Sequence, residues 1–158
     1  MRIVVQREDF DAGAEARALA LGRPEVGAVA SFVGLVRGAS EGAAVGAMTL
    51  EHYPGMTEKA IAAIVDEAKR RWQVIDCTVI HRVGELYPGE QIVLVAVASS
   101  HRGDAFAACE LIMDYLKTRA PFWKKEQTPQ GARWVEARAS DDRAAERWEE
   151  FAQAKKLG

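Results

Sequence analysis

Two lysines, Lys117 and Lys124, stand seven positions apart in the stretch YLKTRAPFWKKEQTP, with an Ala-Pro break and two aromatic rings between them. An ammonium shielded from water or crowded by like charge loses its proton more readily, and the neutral amine is a nucleophile or a base. Phe122 and Trp123 precede Lys124 and offer such shielding, while Lys125 adds a neighbouring cation. Lys117 taken alone is explained as well by the dipole of a helix ending at the proline, which a cation complements. From Lys117 to Arg138 six basic residues (Lys117, Arg119, Lys124, Lys125, Arg133, Arg138) face only Glu126 and Glu136, a local charge of +4 in a chain whose net charge is −2. Such a segment in an otherwise acidic protein marks a place for anions.

Two other groups carry the same chemistry. His101 and Arg102, in SSHRGD, fall between an apolar strand-like run and a helix-like one, where α/β sheets hold anionic ligands. Arg37 closes a strand-like run just before a Gly/Ala/Ser stretch, and its planar fork suits phosphate or carboxylate. Cations at the ends of three separate elements point to a pocket for a phosphorylated or carboxylated small molecule. His52 and His81 share their strand faces with apolar side chains and read as structural. Cys77 and Cys109, 32 positions apart without a CxxC pair, read as reduced buried thiols rather than a disulfide or zinc site; a persulfide-carrying cysteine is the alternative.

The elements that must position these groups follow from periodicity. RIVVQ reads as an opening strand, a short Ala-rich helix begins near Asp9, and Val26 to Arg37 reads as a buried strand. The stretch GASEGAAVG after it is expected to be a mobile loop with no packing residues of its own. Ala47 to Tyr53 alternates as a half-buried strand and ends at Pro54-Gly55. Thr57 is the expected N-cap of a helix whose Ile61, Ile64, Val65, Ala68 and Trp72 form one apolar face. DCTVIHRVGEL and EQIVLVAVASS read as a hairpin turning at YPGE, the second strand central. Asp104 is expected to cap a helix with Phe106, Cys109, Met113 and Leu116 on one face, stopped near Thr118 because Ala120 precedes Pro121. FWKKEQT and ARWVEA flank PQG as a hairpin, and a charged helix ends the chain. Short connections between strands argue for an α+β fold with much antiparallel pairing.

At 158 residues, 49% hydrophobic and 28% charged, the composition is that of one folded domain, able to bury roughly two thirds of the surface its unfolded form exposes. Charge appears within a few residues of Met1 and no apolar run approaches the ~18 residues of a membrane span, so neither signal peptide nor anchor is expected and the location reads as cytoplasmic.

The stretches LEHYPGMTEKA, VIHRVGELYPGE, SSHRGDAF, MDYLKTRAPFWKKE and RWVEAR, in this order and spacing, closely resemble the large, catalytic subunit of molybdopterin synthase, from about Val26 to Trp148. The resemblance implies a hammerhead-type α+β fold over residues 1–158, with a mostly antiparallel sheet, two main packed helices and a variable extension from about residue 149. It implies a homodimer within a heterotetramer, flanked by two copies of a ubiquitin-like small subunit whose C-terminal thiocarboxylate sulfurates cyclic pyranopterin monophosphate twice. The single glycine ending this chain then requires the sulfur donor to come in trans. No cofactor or metal is implied. Lys117 and Lys124 match the family's two active-site lysines. Leu35, Val36 and Arg37, His101 with Arg102, Lys125 with Glu126, and Arg138 match its substrate-contact segments, some of them serving the partner protomer's pocket. GASEGAAVG is plainer than the family's polar loop, which bears on loop contacts rather than on the lysines.

Two rival readings stand beside it. FWKKE and ARW combine aromatics with cations as a single-stranded nucleic-acid platform does, against which the chain's net acidity counts. A noncatalytic scaffold for a ubiquitin-like protein is the other, against which both lysines count.

Overall fold

In the computed structural model, which describes residues 1–135 and 139–157, two four-stranded sheets carry the helices and leave a cleft between them. The chain runs β1 (Arg2–Gln6), α1 (Ala12–Ala20), β2 (Ala28–Leu35), β3 (Ala39–Ser40), β4 (Ala43–Ala44), β5 (Ala47–His52) and α2 (Met56–Arg71). It continues through β6 (Asp76–Arg82), β7 (Gly84–Leu86), β8 (Gln91–Ser99), α3 (Arg102–Arg119), β9 (Phe122–Thr128), β10 (Gly131–Val135) and α4 (Ala139–Leu157). The first sheet has the order β1-β6-β8-β2 and the second β10-β9-β5-β7. Every pairing is antiparallel except β1 with β6. The α+β expectation, with mostly antiparallel pairing and two main packed helices, holds.

Because side chains alternate across a strand, β6 sends Cys77 and Val79 to one face of the first sheet and Ile80 to the other. The first face meets α2 and α3 through Ile61, Val65, Leu111 and Ile112. The second meets α1 through Leu19, alongside Leu94 and Ala96 of β8. Strand β8, sealed on both faces and flanked by β6 and β2, is the central strand its unbroken apolar run predicted. A smaller core of Val36, Met48, Leu50 and Leu86 lines the second sheet, and Ile92 packs against both cores where the sheets approach.

Several local expectations are corrected. DCTVIHRVGEL is not one hairpin arm: the chain breaks at Val83, and Gly84, with φ 88°, starts β7, which leaves for the second sheet to pair with β5. Glycine adopts that left-handed geometry without the cost a Cβ would bring. GASEGAAVG is a two-residue hairpin, β3 with β4, turning on Glu41 (φ 49°) and Gly42 (φ 77°). Contrary to expectation it brings packing of its own, since Val45 and Ser40 are buried and Arg133 Nη2 donates to the Ser40 carbonyl at 2.9 Å.

Helix caps also differ. Asp11 caps α1, which starts at Ala12 rather than near Asp9, and accepts from the Ala14 amide at 2.9 Å. Gly55 holds the N-cap position of α2, and its amide donates to Glu58 Oε2 at 2.7 Å. Thr57 is the second residue of the helix and fully buried; its hydroxyl accepts from the Tyr53 amide at 3.0 Å and donates to the Pro121 carbonyl at 3.3 Å. His101, not Asp104, takes the N-cap place of α3, and Asp104 accepts from the Gln73 amide at 3.1 Å. Phe106 is exposed, so the buried face of α3 is Ala105, Ala108, Leu111, Ile112 and Tyr115 with Cys109 and Leu116. Helix α4 runs on unbroken past Trp148, and its Glu149 pairs with Arg119 at 2.7 Å.

Candidate active site

Pro121 governs the geometry of the two lysines. It keeps Ala120 in extended geometry (φ −89°, ψ 135°) and ends α3, because a residue before proline avoids the helical region. The Phe122 amide bonds back to the Ala120 carbonyl at 2.9 Å, and β9 sets off at once. Lys117 therefore projects from the last turn of α3 and Lys124 from the third residue of β9, and both reach a cavity of about 560 Å³ between the sheets. Thr57 clamps this reversal through the Pro121 carbonyl.

Around the lysines the walls are mixed. Phe32, Gly34 and Leu35 come from β2, Met48 and Leu50 from β5, Met113 and Leu116 from α3, Phe122 from β9 and His81 from β6; Arg37 adds a guanidinium and Asp141 a carboxylate. A side chamber of about 90 Å³ adjoins it, sharing Leu35, Arg37, Lys117 and Lys124 and adding Val36, Ser40 and Glu126. Three cations over apolar walls favour an anionic ligand with a flat or apolar body.

Glu126 is the buried counter-charge. It is 3% exposed, lies 3.7 Å from Lys124 Nζ and 3.3 Å from Arg133 Nη2, and ties Lys124 to the hairpin that Arg133 holds. Lys124 was expected to be crowded by cations and sealed by Phe122 and Trp123. Instead a carboxylate stands beside it, and only Phe122 shares its side of β9; Trp123, on the other face, is 47% exposed.

His81, whose strand position gave no sign of a role, walls the cavity. Its ring stacks on Phe122 with centroids 3.8 Å apart, and its Nδ1 lies 2.9 Å from the Arg82 carbonyl. Burial first, then the charge of Lys117, push its pKa down to about 4, against the pull of that carbonyl. The ring is neutral near pH 7.

Of the predicted residues, the structure brings together Leu35, Val36, Arg37, Lys117, Lys124 and Glu126. Lys125 lies on the opposite face of β9, its Nζ 5.6 Å from the Trp134 ring. His101 and Arg102 are exposed at the far end of α3, about 22 Å along the axis from Lys117 at 1.5 Å per residue. Within one protomer they do not reach the lysines. Arg138 lies outside the described residues. Arg119 turns away onto the Tyr115 ring at 3.6 Å.

Sequence reasoning missed Phe32, Met113 and His81. Met113 was legible, since it precedes Lys117 by four residues on one helix face; Phe32 and His81 depend on how the sheets meet. The cysteines are far from this chemistry: burial pushes the Cys77 thiol up to about 12 and that of Cys109 to about 11, so neither supplies a thiolate near neutrality. Among the described residues no group of three or more His, Cys, Asp or Glu side chains is placed to hold a metal ion, and no helix is long and apolar enough to cross a membrane.

Comparison with known proteins gives this cavity a context. The profile of the MoaE protein family matches residues 5–119. A molybdopterin synthase catalytic subunit from Ralstonia nicotianae is 68% identical over 146 residues, 92% of this chain and 83% of the relative. The protein of that name from Escherichia coli is 60% identical over 147 residues, 93% of this chain and 97% of its own. The solved molybdopterin biosynthesis MoaE protein from Burkholderia ambifaria superposes with a TM-score of 0.80 at 59% identity, covering 94% of this chain and 97% of that one. On the family profile and on identity over nearly its whole length, this chain belongs to the MoaE protein family.

Proposed function

We propose that the chain is the catalytic subunit of a molybdopterin synthase, a sulfurtransferase that moves sulfur from the C-terminal thiocarboxylate of a ubiquitin-like small subunit to cyclic pyranopterin monophosphate. The observation that carries the reading is the meeting of Lys117 and Lys124, from separate elements, in one cation-rich cavity of about 560 Å³, within the size range of small-molecule sites. Thiocarboxylate and cyclic phosphate are both anions, and Arg37, Lys117 and Lys124 match them.

In this mechanism Lys117 approaches the thiocarboxylate carbon. With the thiocarboxylate sulfur bonded to the pterin side chain, water adds to the acyl carbon and the carbon–sulfur bond breaks, leaving sulfur on the pterin and a carboxylate on the small subunit. Lys117 stabilises the oxyanion of that step, or as a neutral amine itself displaces the sulfur to form an amide that water then hydrolyses. Lys124, held by Glu126, assists proton transfer at the pterin side chain. Phe32 and Leu35, exposed in the lone chain, become water-excluding walls with Met113 and Phe122 once the incoming tail covers them, which strengthens each of these interactions. Arg37, Leu35 and Val36 contact the substrate from the end of β2.

His101 and Arg102, too distant within their own protomer, serve a partner protomer's cavity in a homodimer; Lys125 is an outer anion contact, and Arg138 is a further anion contact on the strength of the family resemblance. The working assembly is that homodimer flanked by two small subunits, in the cytoplasm. Mixing the purified chain with a thiocarboxylated small subunit and cyclic pyranopterin monophosphate tests the function. Dithiolene product at a stoichiometry of two sulfurs per pterin is expected; its absence with all three components folded and bound overturns the reading.

A further inference from the structure

His81 is a group the mechanism above does not use. It is the penultimate residue of β6, on the face that carries Cys77 and Val79, and its ring enters the cavity lined also by Leu116 and Lys117 at the end of α3. Two contacts fix the ring: Phe122 stacks on one face at 3.8 Å with an 18° interplanar angle, and Nδ1 lies 2.9 Å from the Arg82 carbonyl; Val93 of β8 is its cross-strand neighbour.

A carbonyl only accepts, so Nδ1 carries the proton and Nε2 of the neutral ring keeps its lone pair. Among the described residues no hydrogen bond engages Nε2, although the ring itself is 8% exposed. An acceptor held this rigidly costs free energy if left unused in a site that closes. Of the cationic donors that line its cavity, Arg37, Lys117 and Lys124, Lys117 is the one whose charge acts on the ring, ahead of the more weakly felt His52.

Resting on the active-site reading above, we propose that His81 is a positioning residue for Lys117. Its Nε2 accepts one N–H of the Lys117 amino group as the incoming tail closes the cavity, leaving that nitrogen aimed at the thiocarboxylate carbon. The ring does not serve as the base that deprotonates the lysine. With its pKa lowered to about 4, the ring is too weak a base to hold a proton near neutrality. Its contribution is direction, and misalignment of a reacting group costs rate rather than affinity.

The test uses the complete complex with three variants. His81→Phe keeps the ring stack and removes the acceptor. His81→Gln restores an acceptor near the place of Nε2. His81→Asn offers a donor to the Arg82 carbonyl and nothing to the cavity. We expect His81→Phe and His81→Asn to lower kcat about 10- to 100-fold, with KM for the pterin and affinity for the small subunit unchanged, and His81→Gln to recover most of the loss. Wild-type kcat in His81→Phe overturns the proposal. So does equal turnover by His81→Gln and His81→Asn, a comparison that decides the matter even if the Phe variant does not fold. Lys117→Ala, run alongside, separates the two levels: full activity there sinks the active-site reading itself, whatever His81 does.

Discussion

Replacing Glu126 with glutamine removes the one negative charge buried between Lys124 and Arg133. Breaking a fully buried ion pair by deleting one partner costs about 3–5 kcal/mol, because the remaining charge is left uncompensated. Here the carboxylate is 4% exposed but the two cations are 32% and 35% exposed, so water screens what remains and the expected loss falls to about 1–3 kcal/mol. In a protein of this size about 2 kcal/mol corresponds to a fall of roughly 4–8 °C in the unfolding midpoint. The functional effect is separate. Lys124 loses a contact that helps hold its Nζ at the cavity, and turnover is expected to fall about tenfold or more. Thermal unfolding and product formation, measured on the same preparation at fixed small-subunit concentration, read both. Glu126→Asp, which keeps the charge on a shorter arm, should fall between. An unchanged midpoint together with unchanged turnover refutes the claim that Glu126 organises this corner.

Other consequences are as direct. Asp76 is held down to about 2, against the desolvation that raises it, by the N-terminal ammonium and Arg23, each at 2.8 Å. Its folded pKa is lower than its unfolded one, so its contribution is complete above about pH 4 and lost as pH falls toward 2; on the order of 2 kcal/mol should vanish from denaturation curves over that window, and Asp76→Asn should flatten it. Gly34→Ala would place a Cβ 2.8 Å from Val93 Cγ1 and 3.3 Å from the Phe32 ring, at the cavity wall; overpacking of about 1–3 kcal/mol and weaker pterin binding are expected by calorimetry. The double variant Cys77→Ala/Cys109→Ala should keep its turnover while losing about 1–3 kcal/mol of stability from emptied core volume; loss of product with the fold intact would revive a persulfide route.

The helix carrying Lys117 and its stop were legible because proline acts locally: it restricts Ala120 wherever the chain goes next. Strand β8 was legible because an unbroken apolar run has nowhere to go but the centre of a sheet. The split of β6 from β7 was not, since apolar residues recur on both sides of the break, at Val83 and Leu86, and only the left-handed geometry at Gly84 redirects the chain. Thr57 was misread for a related reason. A threonine before an amphipathic run resembles a cap, whereas here its hydroxyl is spent on Pro121, 64 positions away. At the site, charge patterning pointed to the lysines and Arg37, which are near one another in sequence or end an element, whereas Glu126 came only with the family resemblance. Phe32 and His81 enter the cavity through the meeting of two sheets, and no local pattern encodes that meeting. Lys125 shows the converse: adjacency to Lys124 suggested a shared site, but a strand sends neighbours to opposite faces.

The central claim is that two amines act together in one cavity on a sulfur-bearing tail supplied by a second polypeptide. Single-turnover sulfur transfer by Lys117→Ala and by Lys124→Ala, each saturated with thiocarboxylated small subunit whose binding is measured in the same sample, tests it most directly. The account requires both variants to bind the small subunit as the parent does and to form product at least about a hundredfold more slowly. Parental rates of product formation in either variant, with binding intact, would contradict it.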